Sequence, residues 1–324
     1  NWNPLGRTKN SHGVFRGTFD GNGHGIYNIT INRDMNDEHM NSDDMAFFDR
    51  LEDAIVKSVV FENVQVNTDY PTRGRVAAVA VKAKRTVFSD VNVSGYISGN
   101  ICAAFVISAI DTAFYNCVNR ASIRGMTFVE NGKISCGGFV GKLTLSEKVR
   151  LSSRGKPVLC FQKCSQCGDI TANVTHNLQM FSMGQLYSEF VDEVMPMHIA
   201  SILIDHCVAV ANRIENLDGK SIDDCSYSAI VNDNGSLCEF NPEGFKRDLI
   251  DGLIGRTPAA TAITIVRPTS SVVVNNMVIP GSVNTLHTKQ HTKSFITTKT
   301  DSITNEEGVV NMSPYYDFVT SVGI

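Results

Sequence analysis

Apolar and polar residues alternate in short runs over roughly the first 140 positions, and the runs are of two kinds. One is compact and built from small apolar residues: Met45-Ala-Phe-Phe, Val76-Ala-Ala-Val, Cys102-Ala-Ala-Phe and Cys136-Gly-Gly-Phe. The other steps between faces at every residue: Tyr27-Asn-Ile-Thr-Ile, Phe61-Glu-Asn-Val-Gln-Val, Phe88-Ser-Asp-Val-Asn-Val and Tyr115-Asn-Cys-Val-Asn. A period of two marks a strand with one buried face. The compact runs start at 45, 76, 102 and 136. Such spacing belongs to repeats that cannot bury their apolar faces alone and must stack.

Stacking predicts a mainly β solenoid. Ile29, Ile31, Val64, Val66, Val91, Val93 and Cys117 are expected to point inward as ladders, with Val64, Val91 and Cys117 in shared columns. Ala77, Ala78, Ala103, Ala104, Gly137 and Gly138 suit places where the chain turns tightly against its neighbour. Gly17, Asp20, Gly21, Asn22 and Gly23 are expected to form a turn, from their Asp-Gly and Asn-Gly steps.

Further along, the pattern changes. Residues 33–44 are polar and acidic and predict a loop between strands. Leu178, Phe181, Leu186, Phe190, Val191 and Val194 have roughly helical spacing, predicting a helix over 178–195 that ends at Pro196. Asn241-Pro242-Glu243 predicts a helix start, with Phe245, Leu249 and Leu253 following at four-residue steps. The expected organisation is a solenoid over 1–240, then a capping helix and a β-rich, Thr-rich region over 241–324.

Composition narrows the function classes. The net charge is −4 over 324 residues, so bulk basicity points neither to nucleic acid nor to an anionic membrane. No apolar run reaches the 18 or so residues of a spanning helix. The chain opens on Asn1, which predicts a processed or trimmed product. Sequons at Asn28, Asn92, Asn173, Asn234 and Asn311 are compatible with secretion. Nine cysteines are an odd number, so one thiol at least is unpaired within the chain.

Candidate chemistry is sparse. Asp20-Gly-Asn-Gly-His-Gly has alternating oxygen ligands, but Ile31 stands where a calcium loop carries its Glu, so a tight turn is the better reading. Cys160, Cys164, Cys167 and His176 include only one Cys-x-x-Cys, so small buried thiols are preferred to zinc, with Cys117, Cys164 and Cys225 in equivalent columns. Cys102 and Cys136 share another column and are the candidate disulfide pair if the compartment is oxidising. Asp43, Asp44, Asp49, Glu52, Asp53, Asp90 and Asp111 are read as solvated surface charge, with an acidic catalytic stripe as the alternative. His287 and His291 are read as surface residues. No cofactor or metal is implied.

The stretch Phe15-Arg-Gly-Thr-Phe-Asp-Gly-Asn-Gly-His24, preceded by Asn1-Trp-Asn-Pro-Leu-Gly6, resembles the GLUG-type repeats of bacterial and protist surface proteins. The likeness runs through about residue 140 and includes Gly138-Phe-Val-Gly141. It implies a right-handed parallel β-helix and a non-enzymatic, extracellular or cell-surface, structural or adhesive role. Rows of polar side chains, including Asn28, Asn63, Asn92 and Asn116, would then face glycan or protein partners. Two alternatives stay open: a carbohydrate-active enzyme on the same scaffold, and a filament subunit that associates with itself through strand edges.

Overall fold

The computed structural model describes residues 4–8, 11–32, 44–67, 74–153, 156, 158–191, 201–209 and 212–216. Beyond these it describes only short strands at 222–225, 230–231, 237–238, 254–256, 262–267, 272–274, 277–279 and 296–300. The described chain is mainly β, its parallel sheets curled around one apolar interior.

Register explains the curling, because strands far apart in sequence pair in parallel. Phe48–Asn67 pairs with Val87–Gly99, and Val87–Gly99 with Ala113–Tyr115, Val118–Asn119 and Ser122–Met126. These three pair with Val158–Gln162, Ser165–Gln166 and Ile170–Asn173. A second sheet of six parallel strands follows the order of the chain: Asp44–Met45, Arg75–Ala77, Ile101–Ala103, Gly132–Gly137, Leu178–Gly184 and Ile222–Cys225. A further column runs through Phe48–Glu52, Ala80–Lys84, Val106–Ile110, Val140–Thr144 and Tyr187–Phe190. Each strand thus supplies the hydrogen bonds that its parallel neighbour's backbone needs once water is excluded.

The corners between strands are made by residues in the left-handed region. Ser58, Asp90, Asn116, Lys163 and His206 occupy one corner in successive windings, with φ between 49° and 55°. Asp53, Arg85 and Asp111 occupy another, at 52°, 49° and 48°. Asn and Asp accept this conformation more readily than other side chains, which explains their frequency at these points. At a further corner, between the strands Gly132–Gly137 and Val140–Thr144, the small residues matter. A Cβ on Gly137 would lie 1.8 Å from the Val140 carbonyl oxygen, and one on Gly138 would lie 1.8 Å from that of Gln185.

Inside, aromatic rings form a continuous stack. Phe88, Phe114 and Phe161 lie in register, their rings nearly parallel, with centroids 5.0 and 5.1 Å apart. Phe105 and Phe139 form a second stack at 4.6 Å and meet the first edge-on at 5.7 to 6.1 Å. Both geometries suit the ring quadrupole. All five rings are fully buried.

Several expectations need correcting. Residues 178–190 are two strands, Leu178–Gly184 and Tyr187–Phe190, not a helix. Spacing in a short apolar run is ambiguous, and pairing with Gly132–Gly137 and Val140–Thr144 supplies the hydrogen bonds a helix would have made internally. The described helix is Glu147–Ser153, which the apolar pattern did not suggest. Residues 192–195 and 33–43 lie outside the described residues, and Asp44 begins a strand. The proposed capping helix also lies outside them, apart from Ile254, which opens the strand Ile254–Arg256.

The ladder columns also differ from expectation. Ile29, Ile31, Val64, Val66, Val91, Val93 and Cys117 are all buried. Val91, however, stands opposite Val59, and Asn92 opposite Val118, which sets Val91 beside Cys117. Val64 belongs to a different column, facing Gly95. Phe61-Glu-Asn63-Val and Phe88-Ser-Asp90-Val look like copies of one unit, yet they bend the chain at two different corners. The shared motif encodes a bend, and a winding has more than one. For the thiols, Cys207 rather than Cys225 shares the column of Cys117 and Cys164, because Lys163 aligns with His206 while Cys225 faces Phe181.

Candidate functional site

A charged face lies on the outside of the parallel column formed by residues 48–52, Ala80–Lys84, Val106–Ile110 and Val140–Thr144. Alternation puts Leu51, Ala83, Ala109 and Leu143 in the core. It therefore turns Arg50, Lys82, Ser108 and Lys142 outward, in one row across four windings. Glu189 continues the row in the fifth. Neighbouring windings in a parallel stack are about 4.8 Å apart.

Beside the row lies a compact ion-pair cluster. Arg85 donates to Asp53 through Nε (2.5 Å) and Nη2 (2.7 Å), and to Glu52 through Nη2 (2.8 Å). Arg16 reaches Glu52 at 2.7 Å, and Lys84 reaches it at 3.5 Å. The left-handed turns at Asp53 and Arg85 bring these side chains together from adjacent windings. Hydrogen bonding from Arg85 holds the Asp53 carboxyl below its usual range, against some burial. Burial resists ionisation of Glu52, but its bond to Arg85 and the charges of Lys84, Arg85 and Arg16 prevail and lower it too. The same bonds, Asp53 first, raise the Arg85 guanidinium further above its already high value. Asp111, next in this corner column, is almost fully buried. Burial pushes its pKa up, although it accepts the Ser146 N–H at 2.7 Å.

The carboxylates considered for an acidic stripe therefore do different jobs. Asp44 is buried against Arg75, with a 2.5 Å bond to Nε. Asp49 is 1% exposed, and Asp111 supports the start of the helix Glu147–Ser153. Asp90 sits in the left-handed corner, where Asn116 donates to it at 2.5 Å. Asp43 lies outside the described residues. Among the described residues of this set, Asp44, Asp49, Glu52, Asp53, Asp90 and Asp111, no open pair of unengaged carboxylates results.

The glycine-rich turn is built as a turn. Asp20 Oδ1 accepts the Asn22 N–H at 2.9 Å, and the Gly21 and Gly23 N–H groups donate to Lys57 and Ser58 carbonyls. Asn22 and Gly23 have positive φ, as does Gly17. Cys102 and Cys136 are in-register partners with Sγ atoms 3.5 Å apart, both free thiols and fully buried. Burial pushes the thiols of Cys102, Cys117 and Cys207 up. Among the described residues, no group of three or more His, Cys, Asp or Glu side chains is placed to hold a metal ion. Nor is any described helix long and apolar enough to cross a membrane.

The polar row proposed from asparagines is divided. Asn63 donates to Asn28 at 2.7 Å and its carbonyl accepts from Gln65 at 3.0 Å. Asn116 joins Asp90 at another corner, and Asn92 stands between Val60 and Val118 in register. His287 and His291 lie outside the described residues. The Arg50–Lys82–Lys142 row escaped sequence reasoning, because its members are 32 and 60 residues apart and meet only through the stacking register. Aligning the strands that follow each compact apolar run would have found it. Compared with profiles of known families, with curated proteins and with solved structures, the chain matches none of them.

Proposed function

We propose that this chain is a segment of an extracellular or cell-surface protein, structural or adhesive in role, built as a right-handed parallel β-helix of the GLUG type. One observation carries the reading: strands from five successive windings align in parallel register, and each winding turns a regular set of polar side chains outward. A stack of this kind offers a long, stiff face whose side chains repeat at about 4.8 Å. Spread over several windings, weak contacts add into useful avidity towards a repeating partner. A glycan or a protein displayed in many copies is such a partner.

The described thiols fit this reading without disulfides, since Cys102, Cys117, Cys136, Cys160, Cys164 and Cys207 are buried among apolar side chains and Cys167 is partly buried. Antibodies raised against the folded chain should label intact, unpermeabilised source cells. Labelling that appears only after permeabilisation would overturn the surface assignment.

A further inference from the structure

Three sequons fall on described residues: Asn28-Ile-Thr30, Asn92-Val-Ser94 and Asn173-Val-Thr175. In each the middle residue is buried: Ile29 is 8% exposed, Val93 1% and Val174 0%. With the middle residue in the core, the asparagine and the hydroxyl residue turn outward together. The three are otherwise unlike. Asn28, Thr30 and Thr175 are exposed, and Asn173 is half-buried, as are Asn92 and Ser94. Asn28 follows the strand Gly25–Tyr27 in the left-handed region, at φ 57°, and Asn173 ends the strand Ile170–Asn173. At both, a left-handed asparagine farther along the chain holds the amide by its oxygen. Asn63 Nδ2 donates to Asn28 Oδ1 and Asn216 Nδ2 to Asn173 Oδ1, each at 2.7 Å. The amide nitrogen, on the other branch of Cγ, is thereby aimed away from the neighbouring strand. Asn92 instead lies within the long strand Val87–Gly99, between Val60 and Val118 in register. The hydroxyl of its sequon is engaged too, since Ser94 Oγ accepts the Asn63 N–H at 3.2 Å.

We propose that Asn28 and Asn173 carry N-linked glycans and that Asn92 does not. The inference rests on the surface reading above, because the transfer belongs to an export pathway. The sugar donor is an oligosaccharide joined to a polyprenyl diphosphate. A bond forms between the anomeric carbon of the first sugar and Asn Nδ2, while the bond from that carbon to the diphosphate oxygen breaks. The amide nitrogen gives one proton to a base of the transferase, and the polyprenyl diphosphate leaves. An acceptor must therefore present its nitrogen and the neighbouring hydroxyl to an outside enzyme. Asn28 and Asn173 do so at strand ends, and stay open after the strands have paired. Pairing on both sides of Asn92, together with the bond to Ser94, closes the third sequon. Each attached glycan adds a bulky, solubilising group to the outside of the stack and leaves Ile29 or Val174 in the core.

The test is mass spectrometry of glycopeptides from the full chain purified from its source cells. Glycan is expected on the peptides holding Asn28 and Asn173, and none on the peptide holding Asn92. In the intact chain, Asn28→Gln and Asn173→Gln should each remove the mass of one glycan, whereas Asn92→Gln should leave the mass pattern as in the parent. Should Asn28→Gln fail to fold, Thr30→Ala gives the same reading, since it keeps Asn28 and its bond to Asn63. Thr175→Ala serves Asn173 in the same way. Bare Asn28 and Asn173 would overturn the proposal, and so would occupancy of Asn92 equal to theirs. Cell labelling is read separately: a chain labelled at the surface but without these glycans sinks this inference alone, and a chain confined within the cell sinks the surface assignment.

Discussion

Phe114 stacks on Phe88 and Phe161 and meets Phe105 and Phe139 edge-on, so four aromatic partners from neighbouring windings depend on one side chain. Phe114→Ala should cost about 3–5 kcal/mol, the usual range for deleting a buried aromatic, measured by denaturant unfolding. A different residue-scale test concerns pH. Burial raises the folded-state pKa of Asp111 above its ordinary value of 3.8. Its contribution is therefore fully present below 3.8 and is lost as pH rises through the folded value. Asp53 has the opposite sign: lowered by Arg85, it adds stability above 3.8 that disappears as pH falls through its folded value. Thermal midpoints across acidic pH should separate the two. Asp111→Asn keeps an acceptor for the Ser146 N–H and should remove the decline with rising pH, whereas Arg85→Gln should remove the loss with falling pH.

At the scale of elements, the stack is held by register, and register is what a local motif cannot encode alone. Between Val87 and Gly99 the core-facing residues are Phe88, Val91, Val93 and Ile97, interrupted by the left-handed Asp90. One residue inserted between Val91 and Asn92 would turn Val93 outward and displace Ile97 from its place between Val66 and Ile123. The expected outcome is a large fall in thermal midpoint. A residue inserted next to Asn131, in the exposed turn before the strand Gly132–Gly137, should be tolerated far better. Alternation made the strand character of 61–66 and 88–93 legible in the sequence, and the small residues at 77–78, 103–104 and 137–138 revealed a tight corner. The column assignments were not legible. Phe61-Glu-Asn-Val and Phe88-Ser-Asp-Val carry the same bend at different corners, so likeness in sequence misplaced them. Residues 178–190 misled for a related reason: Leu178, Phe181 and Leu186 have helix-like spacing, and only the neighbouring windings decide in favour of strands.

For the molecule as a whole, the charged row and the aromatic stack are products of one arrangement. Arg50, Lys82 and Lys142 become neighbours because Leu51, Ala83 and Leu143 share the core. A candidate site of this type has no signature within any short stretch of chain, whereas the Asp20–Gly23 turn, which is local, could be read directly. The surface reading depends on successive strands lying in parallel register. Amide–amide nuclear Overhauser contacts in perdeuterated protein test that arrangement most directly. Parallel stacking predicts contacts linking the 56, 88, 114 and 161 regions in sequence, with Val59, Val91 and Cys117 forming a second such series. Contacts joining these segments in antiparallel order, or joining the 61 region to the 88 region in register, would contradict it.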